Sequence, residues 1–149
     1  MRGQPNKAVA ASTRRDTPTA PGTYALLLRC TSSARIRIGR LGLLLLQPGW
    51  YIYVGSALGP GGLRARIGHH QRIAERPHWH IDYLRRYTRL EAVWYASGAR
   101  CEHEWLASVG AIPGSAVVMP GFGSSDCGCG THLYWFARRP ESLGSGKRH

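Results

Sequence analysis

The segment Trp50 to Gly55 (WYIYVG) constrains the fold more than any other part of this chain. Every residue before Gly55 is aromatic or β-branched, which is typical of a β-strand. The character of the sequence then changes, because Ser56 to Gly62 (SALGPGG) is a glycine-rich loop. Leu63 to Arg76 follows with apolar and basic residues at helical spacing, and Pro77 ends this helix. The chain therefore passes from a strand through a glycine-rich loop into a basic helix.

The apolar segments on either side of this unit predict a small α+β domain. Strands are predicted at Thr23 to Arg29, Arg35 to Ile38, Leu43 to Leu46, Thr88 to Ala96 and His132 to Ala137. Further helices are predicted at His78 to Arg86 and Cys101 to Val109. Because strands come first and helices and isolated strands follow, we expect a small, mostly antiparallel β-sheet flanked by helices.

The length of 149 residues is enough for one ordinary domain. We expect residues 1–20 to be a disordered basic leader, residues 21–138 to be the domain, and residues 139–149 to be a disordered basic tail. The leader lacks the apolar segment of a signal peptide. The longest apolar run, Leu41 to Leu46, is far too short to span a bilayer. With four cysteines and no secretory signal, the sequence predicts a cytoplasmic protein that does not associate with membranes.

The charge of the chain favours a nucleic-acid partner. Lys and Arg number 20 and Asp and Glu number 8, so the formal charge is +12. Without residues 1–20 and 138–149, the chain keeps 12 arginines, no lysine and 6 carboxylates. Guanidinium groups pair well with phosphate, so nucleic acid is the expected partner. A generically basic protein from an arginine-rich proteome is the alternative.

Two tyrosines and a helical Arg–His pair are the first candidate site residues. Gly22-Thr23-Tyr24 opens one predicted strand and Tyr53-Val54-Gly55 closes another, so pairing of the strands would bring both hydroxyls to one sheet edge. Arg66 and His70 are four residues apart and share one helix face, where they could hold a phosphodiester and move a proton. The alternatives are core aromatic residues and a solvated basic face.

Two further groups could hold metal ions. A nuclease needs a carboxylate for a divalent cation, and Glu102 or Glu104 on one predicted helix could supply it. Otherwise these acids only complement the helix dipole. Cys127, Cys129 and His132 could bind zinc with Cys101 or His103 as a fourth ligand, or they could form a tight turn with small buried thiols.

In the order of these motifs the chain resembles the GIY-YIG nuclease superfamily. That family pairs a Gly-Ile-Tyr strand with a Tyr-Ile-Gly strand, and a helix with Arg and His and then a helical Glu follow; the matching residues here are Tyr24, Tyr53, Arg66, His70 and Glu102. The chain is also similar to one small branch of unknown function, which occurs alone or fused to endonuclease-III-type repair enzymes. That likeness covers about residues 21–138 and is carried by four strings, IGRLG, YVGSALGPGGL, HWHIDYL and PGFGSSDCGC.

The resemblance implies a metal-dependent endonuclease, with DNA as the expected substrate and repair or processing as the expected role. Glu102 would hold Mg²⁺ or Mn²⁺, and Glu104 is the other candidate. One of Tyr24 and Tyr53 would activate water and the other would position the phosphate. Arg66 would stabilise negative charge, and His70 would orient or relay the proton. DNA-repair enzymes are the implied protein partners, and a non-catalytic nucleic-acid-binding module on the same fold is the alternative function.

We further expect a nucleic-acid-binding rim around this site. Its predicted members are mostly arginines on or near the two central helices, namely Arg64, Arg72, Arg76, His80, Arg85 and Arg86. His80 and Asp82 are costly to bury without partners, so they are predicted to be paired beside the cleft, with the Asp126 loop as a lid or a wall. The alternative is a structural brace in which His80 and Asp82 cap helices.

Overall fold

The computed structural model describes residues 6–9, 17–98, 101–123 and 130–143. Within these residues the chain forms eight strands and three helices. The strands are β1 (Asn6–Val9), β2 (Gly22–Cys30), β3 (Ala34–Ile38), β4 (Gly42–Leu46), β5 (Gly49–Ala57), β6 (Arg89–Ser97), β7 (Ala116–Val117) and β8 (Leu133–Phe136). The helices are α1 (Gly62–Gln71), α2 (His80–Arg85) and α3 (Glu102–Gly110). The predicted α+β class is therefore confirmed. In the described part of the chain, every helix is too short or too polar to cross a membrane.

The main sheet has six strands in the order β1-β6-β2-β5-β8-β7, and every neighbouring pair is antiparallel. Strands β3 and β4 form a separate hairpin. In the β2–β5 register Tyr24 lies opposite Gly55, and Leu26 lies opposite Tyr53. Because side chains alternate between the two faces of a strand, this register places Tyr24 and Tyr53 on the same face of the sheet.

Both faces of the sheet are covered, which explains why β2 is buried at every position except Arg29. One face carries Tyr24 and Tyr53 and packs against Leu63 and Ile67 of α1, with α2 and the β3–β4 hairpin beyond them. The opposite face, which carries Val54, packs against α3 through its apolar residues Trp105, Leu106 and Val109. The central strands β2 and β5 are mostly apolar because neither of their faces is left to water.

Three local features differ from the sequence-based expectation. Helix α1 ends at Gln71 rather than Arg76, and Arg72 has an extended backbone. Ile73 is 52% exposed, so this apolar side chain gives a continued helix little packing. Strand β1 lies within the segment assigned to the leader, where backbone pairing with the edge strand β6 supports an element that composition does not indicate. Strand β7 lies in a segment for which no strand was predicted.

Candidate active site

Tyr24, Tyr53 and His70 form a buried cluster between the sheet and helix α1. The Tyr24 Oη atom lies 2.7 Å from His70 Nε2, within hydrogen-bond distance. The ring centroid of Tyr53 lies 6.3 Å from that of Tyr24 and 6.3 Å from that of His70. Tyr24 and His70 are each 1% exposed and Tyr53 is 7% exposed, so Tyr53 lies closer to solvent. The predicted approach of both tyrosines and His70 is thus present in the fold.

Gly55 makes room for this cluster. A Cβ atom at position 55 would lie 2.7 Å from the Tyr24 hydroxyl oxygen and 2.8 Å from its Cζ. Both distances are shorter than real Cβ contacts, so a side chain here would displace the tyrosine. Gly55 lies directly opposite Tyr24 in the β2–β5 pair, and only a residue without a side chain leaves room there for the tyrosine ring.

Burial disfavours the charged form of each of these three side chains. Burial raises the pKa of Tyr24 to about 12 even though the positive charge of Arg66 opposes the shift. Burial also raises the pKa of Tyr53 well above its ordinary value. It lowers the pKa of His70 to about 3, so this imidazole is neutral. In this state Tyr24 is a phenol that can exchange a proton with His70, and it is not a phenolate.

Arg66 on helix α1 lies at the border of the cluster. Its Nη1 donates a hydrogen bond to the backbone carbonyl of Ser56 at 2.9 Å. The guanidinium carbon lies 4.3 Å from the ring centroid of Trp79, in a cation–π contact. These two contacts fix the half-buried guanidinium, and a side-chain hydrogen bond with Arg66 acts to lower the pKa of Tyr24 against the larger effect of burial.

Glu102 reaches the same place from the other side of the sheet. It is the first residue of α3, whose apolar residues pack on the face opposite α1. Its side chain extends to the end of β5, where Oε1 accepts a hydrogen bond from the Ser56 hydroxyl at 2.9 Å. Its Oε2 lies 3.0 Å from His132 Nδ1, which also contacts the backbone oxygen of Val54 at 2.9 Å. Glu104 is exposed, so Glu102 is the carboxylate that faces the predicted site.

The carboxylate of Glu102 is held in its charged form. The hydrogen bond from His132 lowers the pKa of Glu102 below its ordinary value, and the bond from Ser56 adds to this effect against the opposing effect of burial. The side chain is still 14% exposed, so the charge is accessible from solvent. A partly exposed, ionised carboxylate is a suitable ligand for a hard divalent cation.

A chain of contacts connects all five predicted catalytic residues. Tyr24 contacts His70. Ser56 links Arg66 to Glu102, because its backbone carbonyl accepts a hydrogen bond from Arg66 and its hydroxyl donates one to Glu102. The link continues from Glu102 to His132 and from His132 to Tyr53, whose ring centroids are 6.4 Å apart. The Tyr53 ring centroid lies 6.3 Å from those of both Tyr24 and His70, which closes the chain. We call the seven residues of this chain the candidate active site: Tyr24, Tyr53, Ser56, Arg66, His70, Glu102 and His132.

Ser56 and His132 were not predicted to belong to this site. Ser56 directly follows the Tyr-Val-Gly motif, and this position next to the motif is the sequence feature that could have indicated its role. His132 was predicted only as a zinc ligand with Cys127 and Cys129. Those cysteines and Asp126 lie outside the described residues, and His132 itself contacts Glu102. The zinc site and the Asp126 lid therefore stay predictions.

The predicted basic rim is exposed at four of its five arginines. Arg64, Arg72, Arg76 and Arg86 are exposed, whereas Arg85 is 6% exposed. The Arg85 guanidinium donates to the backbone oxygens of His70 at 2.8 Å and Thr88 at 2.6 Å. The prediction that Arg85 lies on a nucleic-acid-binding rim is therefore wrong, because this side chain ties α1 to the segment after α2 inside the fold.

His80 and Asp82 lie beside the candidate active site, and both make hydrogen bonds that stabilise the local fold. The Asp82 Oδ2 accepts hydrogen bonds from the backbone amides of His78 at 2.8 Å and Trp79 at 3.0 Å, at the start of α2. Its Oδ1 lies 2.9 Å from His69 Nε2. Burial alone would raise the pKa of Asp82, but these hydrogen bonds lower it. His80 Nδ1 accepts a hydrogen bond from the Gly123 amide at 2.8 Å, so this nitrogen holds a loop rather than a phosphate.

Comparison with known proteins places the chain in a family. The sequence profile of the family described as Domain of unknown function DUF123 matches residues 23–147. The chain therefore belongs to this family, and the matched residues include the whole candidate active site. No curated protein and no solved structure matches the chain.

Proposed function

We propose that this protein is a metal-dependent endonuclease that hydrolyses phosphodiester bonds in nucleic acid, with DNA as the expected substrate. The supporting observation is that one chain of contacts joins the five residues that the GIY-YIG resemblance implies. Four of them come from β2, β5 and α1, and Glu102 comes from α3 on the far side of the sheet. An acid, a guanidinium and a buried phenol–imidazole pair provide the groups that phosphodiester hydrolysis uses.

Glu102 is the residue that would hold the divalent cation. The side chain is ionised and partly exposed, and Mg²⁺ often binds through one or two carboxylates together with water and substrate phosphate. When bound, Mg²⁺ or Mn²⁺ would supply positive charge that stabilises the leaving oxygen. In the free protein, Ser56 and His132 keep the carboxylate charged and oriented toward the end of β5.

Tyr24 is the better candidate for accepting the proton of the attacking water. Its hydroxyl can take that proton while it passes its own proton to His70 Nε2, which is 2.7 Å away. Because burial holds the pKa of His70 at about 3, the proton is unfavourable there in the free protein. The negative charge of a bound phosphodiester would offset this cost, so the relay depends on substrate. Tyr53, which is nearer to solvent, would position the phosphate.

Arg66 would stabilise the charge that develops on the phosphate. Its hydrogen bond to Ser56 and its contact with Trp79 hold the guanidinium at the border of the site before substrate arrives. A preorganised donor of this kind is worth more than a mobile one, since it does not reorganise during the reaction. The exposed arginines Arg64, Arg72, Arg76 and Arg86 would hold the flanking backbone.

The test is a cleavage assay with purified full-length protein over linear, branched and damaged DNA and single-stranded and double-stranded RNA. Each substrate is incubated with Mg²⁺, with Mn²⁺ or with EDTA. We expect cleavage of at least one DNA substrate that needs a divalent cation, is lost in Glu102→Gln and is retained in the matched control Glu104→Gln. Salt-dependent binding without cleavage of any substrate would favour the non-catalytic module. Cleavage that persists in Glu102→Gln would reject the assigned site.

A further inference from the structure

A second group of metal-ligating side chains shares His70 with the candidate active site. His69 and His70 at the end of α1 and Asp82 at the start of α2 each offer one ligand atom, and these atoms lie within 4.8 Å of one another. Two imidazole nitrogens and a carboxylate oxygen suit a borderline divalent cation such as Zn²⁺. We call this group the His–His–Asp cluster.

One nitrogen of this cluster has no partner. His70 Nε2 is taken by the Tyr24 hydroxyl, so Nδ1 is the nitrogen that remains for a ligand. His70 Nδ1 is buried and has no hydrogen-bond partner within the described part of the chain. A buried polar atom that lacks a partner is costly, and such atoms are rare in folded proteins. A cation bound at Nδ1 would remove this cost.

We propose that His69, the Nδ1 atom of His70 and Asp82 form a binding site for a transition-metal cation of the Zn²⁺ type, separate from the Glu102 site. The ligands are already oriented, because two backbone amides hold Asp82 and the Arg85 guanidinium holds the backbone oxygen of His70. The His69 side chain is 28% exposed, which gives a cation a route from solvent. The proton that His69 Nε2 shares with Asp82 Oδ1 would leave to solvent, and both atoms would then bind the cation.

A cation bound at His70 Nδ1 would determine which nitrogen of His70 carries the proton. With the cation on Nδ1, the proton of neutral His70 is fixed on Nε2, so this nitrogen donates to Tyr24 Oη. A donor at this oxygen favours the phenolate form of Tyr24, so once the phenol proton has left to solvent Tyr24 accepts the water proton itself and passes none to His70. Only this consequence rests on the proposed nuclease function, since the binding of the cation needs no nucleic acid.

The test is titration of metal-stripped full-length protein with Zn²⁺ by calorimetry, and with Co²⁺ by visible absorption, in the absence of nucleic acid. We expect one tight site, and we expect His69→Ala to weaken its affinity at least about tenfold, the usual effect of losing a supporting group at a metal site. Glu102→Gln is the control for the other cation site. The double variant Cys127→Ser/Cys129→Ser is the control for a cysteine site. Both controls should bind Zn²⁺ with the affinity of the unmodified protein.

A measurement on the unmodified chain keeps the proposal testable if His69→Ala does not fold. Zn²⁺ should change the ¹⁵N chemical shift of His70 Nδ1 in an imidazole-labelled sample. Absence of Zn²⁺ binding, affinity that is lost only in the cysteine variant, or a His70 Nδ1 shift that does not respond to Zn²⁺ would each overturn the proposal. None of these results depends on nuclease activity, so the two proposals can fail separately.

Discussion

Replacing Gly55 with alanine should disrupt the Tyr24–His70 pair without touching either residue. The new Cβ would lie 2.7 Å from Tyr24 Oη, whereas ordinary Cβ contacts begin at 3.4 Å, so the hydroxyl must move by about 0.7 Å. The tyrosine is 1% exposed and its hydroxyl already lies 2.7 Å from His70 Nε2. It therefore has little space into which it can move without losing that hydrogen bond.

The expected loss of stability follows from these contacts. Overfilling a packed site costs about 1–3 kcal/mol, and a weakened internal hydrogen bond adds about 0.5–1.5 kcal/mol. The free energy of unfolding of Gly55→Ala should therefore fall by about 1.5–4.5 kcal/mol. For a chain of this size, each kcal/mol lowers the Tm by about 2–4 °C, so calorimetry should detect a fall of about 3–18 °C.

Gly68 provides the matched control for this change. A Cβ atom at Gly68 would meet no heavy atom within 4 Å, and the residue lies inside helix α1. Gly68→Ala should therefore raise stability by about 0.5–1 kcal/mol, the helix preference of alanine over glycine. In a Tyr24→Phe background, where the nearest oxygen is absent, Gly55→Ala should cost less than in the unmodified protein. Equal stability of Gly55→Ala and the unmodified protein, or an equal cost in both backgrounds, would refute the steric argument.

Two further predictions concern charged residues. Arg85→Met should lower the free energy of unfolding by about 1–3 kcal/mol in urea titrations, because two backbone oxygens lose their donor. Arg72→Ala should leave stability unchanged and lower the salt slope of DNA binding by about one unit. If Arg85→Met instead lowered the salt slope and Arg72→Ala instead lowered stability, Arg85 would be the rim residue and Arg72 the structural one. The pKa of Glu102 is lowered mainly by His132, so its stabilising effect is present above its ordinary pKa of 4.5 and is lost as pH falls through the folded-state value. Stability measured from about pH 6 to pH 3 should therefore fall less steeply in Glu102→Gln than in Glu104→Gln, and equal slopes would contradict the lowered pKa.

The parts of the fold that the sequence predicts are those governed by local pattern. Strands β2 and β5 are continuous apolar and aromatic runs, and their pairing brings Tyr24 and Tyr53 to one face. The Arg66–His70 spacing likewise places both side chains on one helix face, as the contacts of α1 confirm. These inferences need only the two-residue period of side chains along a strand and the 3.6-residue period along a helix.

The parts that were missed depend on how distant elements pack. Ser56 and Glu102 are 46 residues apart, and their contact requires α3 to cover the opposite face of the sheet with only its first residue at the end of β5. Arg85 and Arg86 are neighbours on a short helix end, so only one of them could face solvent, and composition does not show which. The His69–Asp82 contact joins two helices across a loop, which spacing along one helix cannot reveal.

The most direct measurement of the central claim is a single-turnover cleavage rate at saturating protein, with DNA affinity measured separately. In Mg²⁺, Tyr24→Phe and Glu102→Gln should each lower the rate by at least about 100-fold, as expected when a proton-transfer group or an electrostatic group is lost. DNA affinity should change little, because the exposed arginines supply most of the binding. Rates in both variants equal to that of the unmodified protein, or a fall in rate that matches an equal fall in affinity, would contradict the claim that these residues form a phosphodiesterase site.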